Sequence, residues 1–444
     1  MLVLSAAAFG ALPALRASRL DAGQEHVATA AARVQTFTLY SNPIDIRYGQ
    51  VIGYGPGGDF FNTSGRGPEV YPLPKEVRER YADGSRHMAI TGYESAIVRR
   101  HADGSETDVP LWEVYNHHAG VHIAGATPAD SAGINLDNLQ RCRSPTRFDA
   151  PFRLLLDRPT EYFFHYHFIK TWPKGQPFTY TVSPLHQCPC TPQNEPDVST
   201  MGDCSSAPAL LAENNPVCSR ETYTGGALCC NQLLASRRPY FVIDTDKLCA
   251  DAECTDLPVE RFFLKATIHY EDAMPSMRSL NRAPRTGDHL APNIECTAMV
   301  NEYVAPQCAE GTPSSKCVHV HSCVRPFLLN VSGGEWDPLP RGLDVHQARP
   351  HMHAGAISIE LQDARTNTTL CLLSRSNGGL VVGEGEAAGD EYGYLVASPA
   401  CVWGAEDAPR IVPGQLLRMI GIYDATQRQN GVMAQWLLHV AEAR

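Results

Sequence analysis

Short runs of alternating apolar and polar residues recur along this chain, each fenced by Gly, Pro, Asn or Asp. They stand at residues 34–40, 152–157, 161–171, 262–270, 356–362 and 415–423. A period of two puts every second side chain on the same face of an extended strand. Each run therefore reads as a half-buried β-strand rich in branched and aromatic residues. Helical periodicity is scarce, and residues 74–82 are the best short candidate. Many short strands between turn residues predict a mainly β protein made of antiparallel sandwiches. The turn-rich breaks divide the chain into a leader or extension at 1–33, a first sandwich at 34–275 and a second at 276–444. A cysteine-rich segment, 188–254, interrupts or caps the first sandwich.

That segment holds eight of the fifteen cysteines, among Pro, Asn, Ser and Gly rather than in apolar runs. Such a stretch builds little core, so cross-links are its expected source of stability, and cross-links persist in an oxidising compartment. The apolar opening MLVLSAAAFGALPAL, followed by small residues, has the length of a signal peptide, although it lacks a basic start and contains Pro13. The expectation is a secreted, disulfide-bonded protein. Sequons at Asn62, Asn330 and Asn367 would suit a glycoprotein. The odd cysteine count leaves at least one thiol without a partner within the monomer, and the pairing is not readable from sequence. A net charge of −11, from 37 Lys and Arg against 48 Asp and Glu, argues against nucleic acid as a partner. No apolar run is long enough for a transmembrane helix. Oligomeric state is not readable.

Two motif matches carry no chemistry. Gly53–Gly58 satisfies the spacing of a dinucleotide loop, but a loop-like stretch follows where a helix is required. The acidic stretch EGEAAGDE (residues 384–391) lacks the spacing of a calcium loop and reads as a solvated turn.

The histidines are patterned. Among the 17 are three His-x-His pairs, His165/His167, His319/His321 and His351/His353. On a strand each pair presents two imidazoles on one face, a donor set suited to copper, zinc or iron. Any one pair alone reads as a solvated surface pair; three together point toward a metal. His117 and His118 are adjacent, so both reach one ion only at a strand end or bulge, and Asn116 and Gly120 suit such a place. His351 and His353 form the strongest candidate, with Pro350 before them and Gly355 after. Met433 would add a thioether, which with two imidazoles favours copper; taken alone it reads as core filler. His319 and His321 stand between Cys317 and Cys323. Four ligands on one short strand cannot surround a zinc ion, so disulfide-bonded cysteines framing surface histidines is the better reading.

At these residues the chain resembles the stress-up-regulated nodulin family, whose members are secreted plant-type proteins. The resemblance covers about residues 105–440 and rests on VPLWEVYNHHAG (109–120), HFIKT (167–171), GGALCC (225–230), IECTAMVNEY (294–303), PHMHAGAI (350–357), GEAAGDEYGYLVASPAC (385–401) and NGVMAQWLL (430–438). The acidic turn thus falls inside a family signature. Gln429 and Asn430 stand where family members carry a histidine. The family is in turn distantly similar to copper type II ascorbate-dependent monooxygenases. That similarity implies two jelly-roll-like domains with one mononuclear copper each. It implies His117, His118 and His167 for an electron-transfer copper, with His165 an alternative to His167. It implies His351, His353 and Met433 for the copper that activates O2, making these three the catalytic set, with ascorbate as reductant and a small-molecule or peptide substrate. The rival readings are a non-catalytic extracellular copper-binding or stress-related protein and a zinc-stabilised structural protein, since likeness of fold does not establish function.

Overall fold

A computed structural model of the chain describes residues 34–172, 258–281 and 303–444 with short breaks, and the isolated strands Tyr240–Phe241 and Asn293–Glu295. The expected leader, the sequon at Asn62 and the cysteine-rich segment apart from Tyr240–Phe241 lie outside the described residues.

The protein is mainly β. Its principal elements are β1 (Gln35–Tyr40), β2 (Gln50–Tyr54), α1 (Lys75–Tyr81), β3 (Met88–Arg100), β4 (Val114–Ala124), β5 (Phe152–Leu156), β6 (Glu161–Lys170) and β7 (Glu260–Asp272). They continue with β8 (Val318–Pro326), β9 (Leu343–Met352), β10 (Ala356–Asp363), β11 (Thr368–Ser374), β12 (Leu416–Asp424), β13 (Gln429–Val432) and β14 (Ala434–Glu442). The six alternating runs all form strands, and the helical candidate is α1. That helix follows Pro74, buries Val77 and Tyr81 four residues apart on one face, and ends before Gly84 at φ 70°.

Two pairs of sheets enclose two cores. In the first half, β1-β7-β3-β5 forms one antiparallel sheet and β2-β6-β4 another. Ile90, Phe262 and Leu264 from the first meet Val121, Ile123 and Phe164 from the second. In the second half, β9 and β14 pair in one sheet, and β8-β12-β10-β11 forms the other. Val345, Trp436 and Leu438 meet Ile359, Leu417 and Met419 between them. Each such side chain contributes about 1.5–3 kcal/mol relative to exposure.

Residues 34–444 form one compact unit, because the halves share a polar and aromatic seam. Ala441, at the end of β14, packs in the first core. The His346 ring stacks on Phe152 at 4.4 Å, its Nδ1–H donates to the Trp403 carbonyl, and its Nε2 accepts from the Asp149 N–H. His439 sits edge-on to Phe148, and its Nδ1 accepts from the Asn281 amide. The Arg278 guanidinium bonds Asp344 at 2.8 Å. β14 is buried on both faces as a result, one face against its own core and the other against this seam.

Two disulfides fall among the described residues, Cys308–Cys317 and Cys371–Cys401, and Cys323 is disulfide-bonded as well. Both cysteines framing His319 and His321 are therefore tied up, which removes them as zinc ligands. No helix among the described residues is long and apolar enough to cross a membrane.

Candidate metal centres

β4 and β6 run antiparallel, and their register places His167 directly opposite His118. The next rung pairs Phe168 with Asn116, so His117 is the extra residue of a β-bulge. A bulge is what lets adjacent residues address one side of a strand, and the backbone thus brings positions 117, 118 and 167 together. Asn116 is buried beside the bulge, its amide donating to the Leu136 carbonyl at 3.4 Å. Gly120 serves a different neighbour. It pairs with His165, and a Cβ there would lie 1.9 Å from the His165 Cε1. His165 therefore lies over Gly120, 5.1 Å from the His122 ring, one rung-pair away from the position opposite His118. Burial, followed by the neighbouring His165, pushes the His122 imidazole down to about 3.

The second set meets through its side chains. His351 lies near the end of β9, His353 in the turn that follows, and Met433 in the single-residue break between β13 and β14. All three are buried, with 1%, 4% and 2% of their surfaces exposed. The His351 Nε2 stands 3.3 Å from the Met433 sulfur and 3.3 Å from the His353 Nε2. Two nitrogens each about 2 Å from a shared ion are separated by about 3.3 Å at a tetrahedral angle, so the imidazole edge has the size of a ligand edge. The sulfur is turned to a ring nitrogen, which core filler does not require. Among the described residues no three His, Cys, Asp or Glu side chains gather into a metal-binding group. The potential donors that gather here are two imidazoles and a thioether, a set of the kind that copper accepts.

What holds this set is not legible in the residue pattern. Tyr423, fully buried on β12, accepts the His353 N–H at 2.9 Å and donates to the Met433 carbonyl at 2.5 Å. One hydroxyl therefore ties the histidine turn to the methionine break. Gly355 completes the turn at φ 85°, and the Gln429 amide lies 2.8 Å from where a Cβ would stand. The buried Gln429 thus closes the turn at the place where a histidine was expected. A cavity of about 380 Å³ opens beside it, lined by Gly355, Arg375, Tyr392, Asp424 and Gln429 among others.

In the acidic stretch Glu384 and Glu386 are exposed, as a solvated turn requires, but its last residue departs from that expectation. Glu391 is fully buried, not solvated, and its Oε1 accepts the Leu111 N–H at 3.0 Å. Desolvation raises its carboxyl above the usual range. Nearby, the Trp112 indole donates to the Glu386 carbonyl at 2.8 Å. The turn latches onto the segment that leads into β4, and Tyr115 on β4 lies 6.4 Å from the His353 ring and 6.3 Å from Tyr394. The start of β4 is fixed from below by a buried charge cluster. Lys170, fully buried, contacts Glu113 at 3.0 Å and Glu260 at 2.9 Å, with Arg99 joining both carboxylates. Burial opposes ionisation of Glu113, but the Arg99 hydrogen bond and the Lys170 charge outweigh it and hold the carboxyl low.

No curated protein matches the chain. The family model described as stress up-regulated Nod 19 matches residues 211–443, more than half of the sequence, and the chain belongs to that family.

Proposed function

We propose that this is a secreted copper protein of the ascorbate-dependent monooxygenase type, with one copper held by His351, His353 and Met433 and another by His117, His118 and His167. The observation that carries the reading is a buried His351 Nε2 that stands 3.3 Å from both the His353 Nε2 and the Met433 sulfur. Copper in such a set supplies one-electron chemistry with O2 and a C–H bond, with ascorbate as the reductant. The protein's part is to hold the donors. Burial keeps competing water from them, and Tyr423 fixes the distance between the histidine turn and the methionine. The adjacent cavity of about 380 Å³ has the size of a small-molecule site. The disulfides support an oxidising compartment.

The near-complete burial of the triad favours a second reading, an extracellular copper-binding protein without turnover. One series separates them. Full-length protein purified without chelator carries about two coppers per chain under the first reading, and His351→Ala loses one. Zinc or no metal in the wild-type protein would overturn copper binding. Ascorbate-dependent O2 uptake that is present in wild type and lost in His351→Ala establishes turnover; copper binding without O2 uptake across a substrate panel leaves the non-catalytic protein.

A further inference from the structure

The turn at residues 383–394 buries one side chain and displays the next. Two bridges close it, Gly383 with Tyr392 and Gly385 with Glu391. The Gly385 N–H donates to the Asp390 carbonyl and the Tyr392 N–H to the Gly385 carbonyl, each at 2.6 Å. The Gly393 N–H donates to the Gly383 carbonyl at 3.1 Å. A Cβ on Gly383 would lie 2.2 Å from the Glu391 carbonyl oxygen, so this closure needs glycine there. Glu391 is buried with its carboxylate on the Leu111 N–H, whereas Tyr392 is 54% exposed and lines the cavity of about 380 Å³. A tyrosine displayed by so closely bonded a turn is a preorganised apolar platform.

The polar part of the wall is held as firmly. The Asp424 N–H donates to the Gly355 carbonyl at 2.9 Å, and the Asp424 carbonyl accepts from the Gln429 amide at 3.4 Å. Its Oδ1 accepts the Thr426 N–H at 2.8 Å and the Thr426 hydroxyl at 2.7 Å, which orients the carboxylate and leaves Oδ2 as an acceptor. Arg375 donates from Nε to the Ala356 carbonyl, a use of one of its five N–H groups. Glu384 and Gln427 line the same space. An anion would meet the two carboxylates, a cation would meet Arg375, and an apolar ligand would dry out all of these groups unpaired. A ring with vicinal hydroxyls answers both kinds of group, because each hydroxyl donates and accepts, and its C–H face lies well on an aromatic ring. A volume near the lower end of the range for small-molecule sites suits one ring. We propose that this cavity binds a neutral sugar ring, with Tyr392 against its C–H face and Asp424 and Arg375 on its hydroxyls. Binding rests on these walls alone. That such a sugar is what the copper chemistry acts on rests on the function proposed above, since Gly355 and Gln429 join the cavity to the His353 turn.

Saturation-transfer NMR on the full-length protein, as purified and after chelator treatment, tests this with the methyl glycosides of glucose, galactose, mannose and xylose. In both preparations at least one glycoside receives saturation, strongest at the C–H protons of one ring face, with a dissociation constant of about a millimolar. Tyr392→Phe keeps the signal. Tyr392→Ala lies at an exposed position, so the urea midpoint stays while binding weakens about tenfold. Asp424→Asn keeps an oxygen for Thr426 but turns the second acceptor into a donor, and also weakens binding about tenfold. No saturation of any glycoside, binding unaltered in Tyr392→Ala, or saturation of ascorbate or free amino acids in place of the glycosides would overturn the sugar site. The copper reading fails separately: zinc or no metal in a protein that still binds a glycoside removes the copper and keeps the sugar site. Two coppers per chain without glycoside binding does the reverse.

Discussion

Replacing Tyr423 by Phe tests whether one hydroxyl organises the His351/His353/Met433 site. The ring stays, so buried apolar area is nearly unchanged and the effect isolates two hydrogen bonds. Tyr423 is fully buried, accepts from the His353 N–H at 2.9 Å and donates to the Met433 carbonyl at 2.5 Å. Removing the oxygen leaves a buried donor and a buried acceptor without that partner, at about 1–3 kcal/mol each before relaxation. The expected loss of folding stability is about 2–4 kcal/mol after partial relaxation, read from urea unfolding of the metal-free protein. The turn and the break are then free to separate, and an outer-sphere loss of this kind weakens metal binding by about 10–100-fold. Competition with a Cu(I) chelator measures that second quantity. Tyr81→Phe is the control, since Tyr81 is equally buried but bonds Asp272 at 3.1 Å, in the first half. It should lower stability and leave Cu(I) affinity alone. If Tyr423→Phe matches Tyr81→Phe in both readouts, the hydroxyl does not set the triad's geometry.

Three further outcomes follow from the buried charges. Lys170→Met leaves Glu113 and Glu260 facing each other with Arg99 alone, and should cost about 3–5 kcal/mol in urea unfolding. An unchanged midpoint would mean that Arg99 balances both carboxylates. His346 and His439 are held below the usual imidazole range, in each case mainly by burial. The unfolded chain then takes up protons that the folded one refuses, so stability is intact above about pH 6.5 and falls below it by up to about 1.4 kcal/mol per pH unit for each histidine. His439→Gln should flatten that slope between pH 7 and 5; an unaltered slope would place the acid sensitivity elsewhere. Glu391 has the opposite sign, because its raised carboxyl makes the folded state hold a proton longer than the unfolded one. Glu391→Gln should therefore be more stable than wild type at pH 8, with the difference shrinking toward pH 4.5. A constant difference across that range would show that the carboxyl is ionised when buried.

What was legible in the sequence follows from how each segment is buried. β7 shows strict alternation because one face meets the core and the other is only half covered, and a period of two survives in the residues. β3 and β14 are buried almost throughout and show no such period; β14 is packed on its far side by the other half of the molecule. The histidine pairs were legible for a local reason, since residues two apart on a strand share a face. Their partners were not. Met433 reaches His351 from a strand break 82 positions away, and Tyr423 contributes through a hydroxyl that no strand pattern announces. Glu391 was misread because a charged residue in a Gly-rich stretch is ordinarily solvated, and the N–H it accepts, that of Leu111, lies 280 positions away in the other half.

That burial also bears on how the two candidate centres relate. The segment from Leu111 to His118 carries a latch point for Glu391, the indole bonded to Glu386, the Glu113 carboxylate bound to Lys170, and Tyr115 against His353. It then enters the bulge at His117. One strand start is thus fixed by the first core, by the acidic turn of the second half and by the ring of a candidate ligand. A displacement of that segment cannot be confined to one half. It shifts the backbone at positions 117 and 118 and withdraws a ring from His353 at once. Lys170→Met and Glu391→Gln approach the segment from opposite sides, and their effects on Cu(I) affinity at His351 and His353 should differ accordingly. Lys170→Met unbalances the charges that position the start of β4, and so should weaken binding in the second half from a cluster lying in the first. Glu391→Gln keeps an acceptor for the Leu111 N–H, and so should leave affinity within about twofold while moving only the pH dependence of stability.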